Sequence, residues 1–289
     1  MLEIANEYLQ VKISPAGAEL QSIIRKDNQL EYLWSGDPAF WGKKSPVLFP
    51  IVGGLKENTY RYKDQHYQLG RHGFAREMEF SVTEHTATSI TFNIQDNDLT
   101  LLKYPFPFSL NIRYSIKDAT LMVGYEVQNM GDDTMYFSIG AHPAFKVPLV
   151  NGTAFEDYSL HFSEPETAPI WLLSPAGIVN NQPSPYLDNT TELPLRKSLF
   201  YNDALVFKHL ASTAISIRSD KTPHGLTVHF PGFPYMGIWN AKDADFVCIE
   251  PWYGIADYEN ATGKLEEKEG IMALSPEQIF SSQWSAVFF

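Results

Sequence analysis

The chain has 289 residues, with 34 acidic and 22 basic side chains and a formal net charge of −12, so its surface does not attract nucleic-acid phosphates or anionic lipid. Hydrophobic residues make up 44% and charged residues 19%, which excludes intrinsic disorder and leaves one large domain over residues 1–289 as the default. Cys248 is the only cysteine, which excludes an intrachain disulfide and a thiolate metal cluster and fits a reducing compartment.

The opening MLEIANEYLQ has neither a basic n-region nor an apolar h-region, and no run reaches the roughly 18 apolar residues of a membrane span. A cytoplasmic protein is expected. Residues 8–13 are apolar at every second position, the period of a half-buried strand, and residues 89–94 and 110–116 repeat it. Lys26-Asp27-Asn28, Lys63-Asp64, Lys117-Asp118 and residues 129–133 place turn formers between such runs, predicting consecutive antiparallel strands. Pro105 and Pro107 exclude helix interior and central strand from residues 104–108. The proline-rich residues 174–195 read as a long surface excursion, and residues 263–270 as a charged, exposed loop. No repeat of 20–50 residues is present, so propellers and solenoids lose their support. The expected class is all-β, a large antiparallel sandwich.

Three places interrupt the strands by setting a titratable residue among glycine or proline: Gly70-Arg71-His72-Gly73-Phe74-Ala75-Arg76, Gly140-Ala141-His142-Pro143-Ala144-Phe145 and Cys248-Ile249-Glu250-Pro251-Trp252-Tyr253-Gly254. Glycine permits close backbone approach and proline fixes a bend, so each His or Glu is held at a strand end. Any one of them alone could be a turn with a surface side chain. Together, each with aromatic neighbours, they point to a site.

These motifs resemble those of the aldose 1-epimerase (galactose mutarotase-like) family, in particular its bacterial branch associated with lactose and sugar-phosphate catabolism. The likeness runs through nearly the whole chain, with further support from Pro15-Ala16-Gly17-Ala18-Glu19-Leu20, Pro46-Val47-Leu48-Phe49-Pro50-Ile51-Val52-Gly53-Gly54 and Gly237-Ile238-Trp239-Asn240. The resemblance implies a two-sheet supersandwich forming one galactose mutarotase-like domain, a shallow cleft and no cofactor. It also implies Glu250 as general base, His142 as general acid and His72 as a second imidazole that binds the sugar. Exchanging anomers requires one base at the C1 hydroxyl and one acid at the ring oxygen, tasks suited to a carboxylate and an imidazole.

Trp239, Trp252, Tyr253 and Phe145 read either as walls for sugar C–H faces or as core. Asp203 stands where the family often has an aspartate bonded to sugar hydroxyls, though an Asn-Asp turn explains it equally well. Arg71 and Arg76 bracket His72 and could receive a phosphate, as in the hexose-6-phosphate branch; otherwise Arg76 pairs with Glu77 or Glu79. Residues 53–58 depart from the galactose mutarotase pattern, so galactose specificity does not carry over. His66, His85, His161, His209 and His229 invite no role, His224 is an outside cleft candidate, and Cys248 reads as a small core residue.

The expected function is a cofactor-independent 1-epimerase acting on a small-molecule hexose or hexose 6-phosphate, without metal. The alternatives are a non-catalytic carbohydrate-binding protein on the same fold, a metal enzyme ligated by two histidines and a glutamate, and a glycosidase using Asp203 and Glu250. The metal reading lacks close-spaced ligand motifs, and the glycosidase leaves the histidines idle. An exposed sheet edge leaves pairing into a homodimer open.

Overall fold

The computed structural model describes residues 1–289 and is built almost wholly from antiparallel strands. The largest sheet has nine strands, in spatial order Thr190–Pro194, Ser159–Glu166, Ala214–Ser219, Thr222–His229, Ile279–Phe288, Thr120–Asn129, Phe108–Lys117, Ser89–Gln95 and Ser81–His85. Its alternation follows the sequence: in Phe108–Lys117, Leu110, Ile112, Tyr114 and Ile116 are buried while Arg113 and Lys117 face water. The turn formers fall where expected. Lys63 and Asp64, both at positive φ (45° and 59°), close the hairpin of Thr59–Tyr62 and Gln65–Gln68.

The second sheet is built around Phe246–Tyr253. Tyr235–Trp239 pairs with it on one side, with Leu205–Lys208 beyond, and Ile139–Gly140 and Ala144–Lys146 pair with it on the other. One apolar cluster joins Leu110, Ile112 and Trp284 of the large sheet to Met236, Ile238, Val247 and Ile249 of this one, making the sandwich. Because strand side chains alternate, Val247 and Ile249 facing that core place Cys248, Glu250 and Trp252 on the opposite face. That alternation positions the site.

The structure sharpens three expectations. Residues 174–195 run over the surface, with all four prolines exposed, but are pinned to it: Ile178, Val179 and Leu187 are buried, Val179 N–H donates to Asp257 O at 2.8 Å, and the end becomes the edge strand Thr190–Pro194. An edge is where a strand proline is tolerated. In residues 263–270, Lys268 is buried and bonded to Asp257 at 3.0 Å, although its acidic neighbours are exposed. Phe145 lies across from Val247 and faces the core, and Tyr253 packs against Phe233 and Phe280, so neither is a cleft wall. No helix is long and apolar enough to cross a membrane.

Candidate active site

Residues 46–54 act as a spacer between the two histidine loops. Leu48 exchanges backbone hydrogen bonds with Gly140 at 2.9 and 3.0 Å, and Phe49 O accepts from Phe74 and Ala75 N–H. At the far end, His72 N–H donates to Gly53 O at 2.9 Å, while Gly53 N–H donates to the His72 ring at Nδ1, 3.1 Å away. Gly53 has φ +74°, and a Cβ there would lie 2.5 Å from that of Ala256, so only glycine fits. Gly140 and Gly237 serve a different purpose. A Cβ on either would come within 2.5 Å of the Trp252 ring, so the indole spans two bare positions beside Glu250.

Glu250, 1% exposed, and His142, 8% exposed, meet on this surface with Nε2 and Oε2 3.3 Å apart. The approach is off the line of a hydrogen bond: Glu250 Oε2 and His142 Nδ1 have no hydrogen-bonding partner in the protein. The Trp252 indole N–H donates to Ala141 O at 3.2 Å. Trp41 stacks on the His142 ring at 4.9 Å and Trp239 meets it edge-on at 5.5 Å, fixing the imidazole plane. The His72 ring centroid is 5.7 Å from that of His142.

Burial decides the electrostatics. It pushes the Glu250 carboxyl well above the usual range, Asp203 adding to the rise and Arg71 opposing it. Burial also lowers His142 to about 3, with Arg76 and Arg71 lowering it further. His72 is likewise held neutral, by burial first and then by His142, Arg71 and Arg76. Since neutral His72 accepts from Gly53 N–H at Nδ1, the inferred tautomer carries its proton on Nε2 as a donor.

A cavity of about 430 Å³ opens over the pair. Its lining brings together His72, His142, Glu250, Arg71, Arg76, Asp203 and Trp239, every site residue expected from the sequence, and adds Trp252. Arg71 pairs with Asp203 at 3.2 Å, so the aspartate that the resemblance assigned to sugar binding also braces an arginine. Arg76 donates to Arg71 O at 2.9 Å and lies 3.6 Å from Glu77, keeping the expected ion pair while lining the cavity. His224 is elsewhere, its Nδ1 3.4 Å from the Asn28 amide, and is no cleft residue.

Trp41, Lys242, Leu173 and Phe200 line the cavity without having been singled out. Trp41 sits in an aperiodic stretch, and its only sequence signal is the Phe40-Trp41 pair after Pro38. The one cluster that could hold a metal is His142, Cys248 and Glu250, whose ligand atoms lie within 4.8 Å of one another. A carboxyl with a free oxygen, a neutral imidazole beside it and a second imidazole poised to donate can move protons on and off a bound hydroxyl.

Known proteins share this sequence and fold. The protein LacX (chromosomal) of Lactococcus lactis subsp. lactis is 38% identical over 284 residues, covering 95% of each chain. The structure of a galactose mutarotase related enzyme from Lactobacillus acidophilus has a TM-score of 0.94 at 36% identity, covering 100% of this chain and 97% of that one. A galactose mutarotase-like protein from Lactobacillus casei has the same TM-score at 29% identity, with both chains covered in full, 100% each. The family model described as Aldose 1-epimerase matches residues 1–272, and the chain belongs to that family.

Proposed function

We propose that the protein is a cofactor-independent 1-epimerase that interconverts the α and β anomers of a hexose or hexose 6-phosphate. One observation carries this reading. The buried carboxylates are Glu19, Glu166, Asp257 and Glu250. Glu19 accepts from Lys44 and Ser45 N–H, Glu166 from Ala211 and Ser212 N–H, and Asp257 from Lys56 N–H and Lys268. Glu250 alone keeps a buried oxygen without a partner, and it faces His142 on a sugar-sized cavity. A buried carboxylate left unpaired is unfavourable, so its retention indicates a task.

In the reaction Glu250 takes the proton of the C1 hydroxyl while His142 gives one to the ring oxygen. The C1–O5 bond breaks, C1 becomes a carbonyl, and rotation about C1–C2 exposes its other face. Closure reverses both transfers, so one acid and one base suffice. The charged pair that starts the cycle and the neutral pair that burial favours hold the same number of protons. The ring-opened stage leaves the pair neutral, so its environment favours that stage. His72 Nε2–H orients a sugar oxygen, Trp41 and Trp239 offer apolar faces, and Arg71 and Arg76 receive a phosphate when the substrate carries one.

The test is polarimetry on freshly dissolved α-glucose, α-galactose and their 6-phosphates. Wild type should speed anomeric equilibration, and Glu250→Gln should reduce that rate by roughly 10²–10⁴-fold. No acceleration of any of these sugars by wild type relative to Glu250→Gln would sink the reading. Loss confined to the phosphorylated sugars in Arg76→Ala would support the phosphate subsite, and equal loss on free sugars would remove it.

A further inference from the structure

Cys248 and Glu250 share a face of Phe246–Tyr253, and Ala144, across from Cys248, lies two residues past His142. The register therefore gathers a thiol, a carboxylate and an imidazole, all buried, on one patch of sheet, with their ligand atoms within 4.8 Å of one another. We propose that His142, Cys248 and Glu250 form a three-ligand site for a thiophilic divalent cation such as Zn²⁺ or Cd²⁺, with its fourth position open to the cavity.

The donor set suits such an ion: zinc takes thiolate sulfur at about 2.3 Å and imidazole nitrogen or carboxylate oxygen at about 2.0–2.2 Å, tetrahedrally. Those lengths put the donors about 3.3–3.6 Å from one another, so side-chain shifts of about an ångström complete the site. Glu250 Oε2 has no partner to give up. The ion enters from the cavity, which His142 and Glu250 line, and reaches Cys248 behind them. Its charge is balanced locally. A divalent ion bound by the Glu250 carboxylate, the Cys248 thiolate and neutral His142 replaces two protons, one from the thiol and one held by the Glu250–His142 pair, so the nearby Arg71 and Arg76 meet no added net charge. A bound ion occupies both members of the acid–base pair and so blocks epimerisation reversibly; this consequence rests on the function proposed above, whereas the binding does not.

The experiment is a sugar-free titration of the purified protein with Cd²⁺, following the ultraviolet thiolate-to-cadmium charge-transfer band. Cys248 is the only cysteine, so the band reports this site alone. Wild type should take up one ion per chain with the band appearing in step and disappearing with EDTA. Glu250→Gln and His142→Ala should each weaken binding by more than about 100-fold, beyond the loss caused by removing a group that merely orients a ligand. Glu250→Gln, nearly isosteric, decides the matter if His142→Ala fails to fold. No band in wild type, or a band of undiminished affinity in Glu250→Gln, overturns the proposal. Parallel rate measurements separate the two readings: cadmium binding without epimerase activity removes only the proposed function, and epimerase activity without a band removes only the metal site.

Discussion

Asp257 and Lys268 are buried as deeply as Glu250 and His142, and both pairs belong to Phe246–Tyr253 or the loops packed beside it. They differ in how their hydrogen-bonding capacity is used. Lys268 bonds Asp257 at 3.0 Å and also Ile255 O, while Lys56 N–H fills the other aspartate oxygen, also at 3.0 Å. Asp257 N–H then holds Gly54 O at 2.8 Å, which fixes the turn whose Gly53 N–H orients His72. At Glu250 an oxygen stays free and the nearest base is 3.3 Å away off-axis. A closed pair sets geometry and an open one keeps an atom available to a ligand; depth of burial does not distinguish them.

Substitutions can break this contrast, beginning with the largest effect. Glu250→Gln, beyond its roughly 10²–10⁴-fold loss of rate, should stabilise the fold. Burial raises the Glu250 pKa above the ordinary 4.5, so the folded chain binds more protons above that pH and loses stability as pH rises through the raised value. The melting temperature of Glu250→Gln should therefore pull ahead of wild type above about pH 4.5; a variant that melts lower at neutral pH would mean that the open pair is structural. Asp257→Ala should do the reverse, lowering stability by about 3–5 kcal/mol in urea unfolding because Lys268 is left buried without a counter-charge. Replacing both partners, as Asp257→Leu with Lys268→Met, should recover most of that loss.

Gly53→Ala should lower stability by about 1–3 kcal/mol through its left-handed backbone and the contact with Ala256, and should raise KM as His72 shifts. His142 gives a destabilising effect that depends on pH and vanishes near neutrality. With its folded pKa near 3 and an unfolded value of about 6.5, its contribution is complete above 6.5 and is lost as pH falls toward 3. His142→Gln should flatten that acid limb in denaturant midpoints measured from pH 7 to 4. At the small end, the exposed pair of Lys63 and Asp133, 2.7 Å apart, should leave the midpoint unchanged when Lys63 becomes alanine.

Much of this was legible in the sequence because it was local. Alternation in residues 110–116 gave the strand face, Lys63-Asp64 gave the turn, and glycine or proline beside His72, His142 and Glu250 marked where strands give way to a site. What was missed depends on distant partners. Trp41 matters because it stacks on His142, and nothing in its own neighbourhood signals that. Lys268 looked solvated among Glu266, Glu267 and Glu269, since pattern alone does not reveal that Asp257 lies beneath it. The open oxygen of Glu250 is still less readable: it is a statement about hydrogen bonds not made, which only the assembled fold contains.

The place of Ile279–Phe288 in the large sheet bears on how the molecule comes into being. It lies between Thr222–His229 and Thr120–Asn129, and its pairing with the latter joins residues more than a hundred positions apart, such as Ile279 with Gln128. Until it emerges during synthesis, the sheet exists as two halves, each exposing a bare inner edge. Pairings of such long sequence separation form late and slowly, so the nascent chain is most prone to aggregate just before Ile279–Phe288 is made.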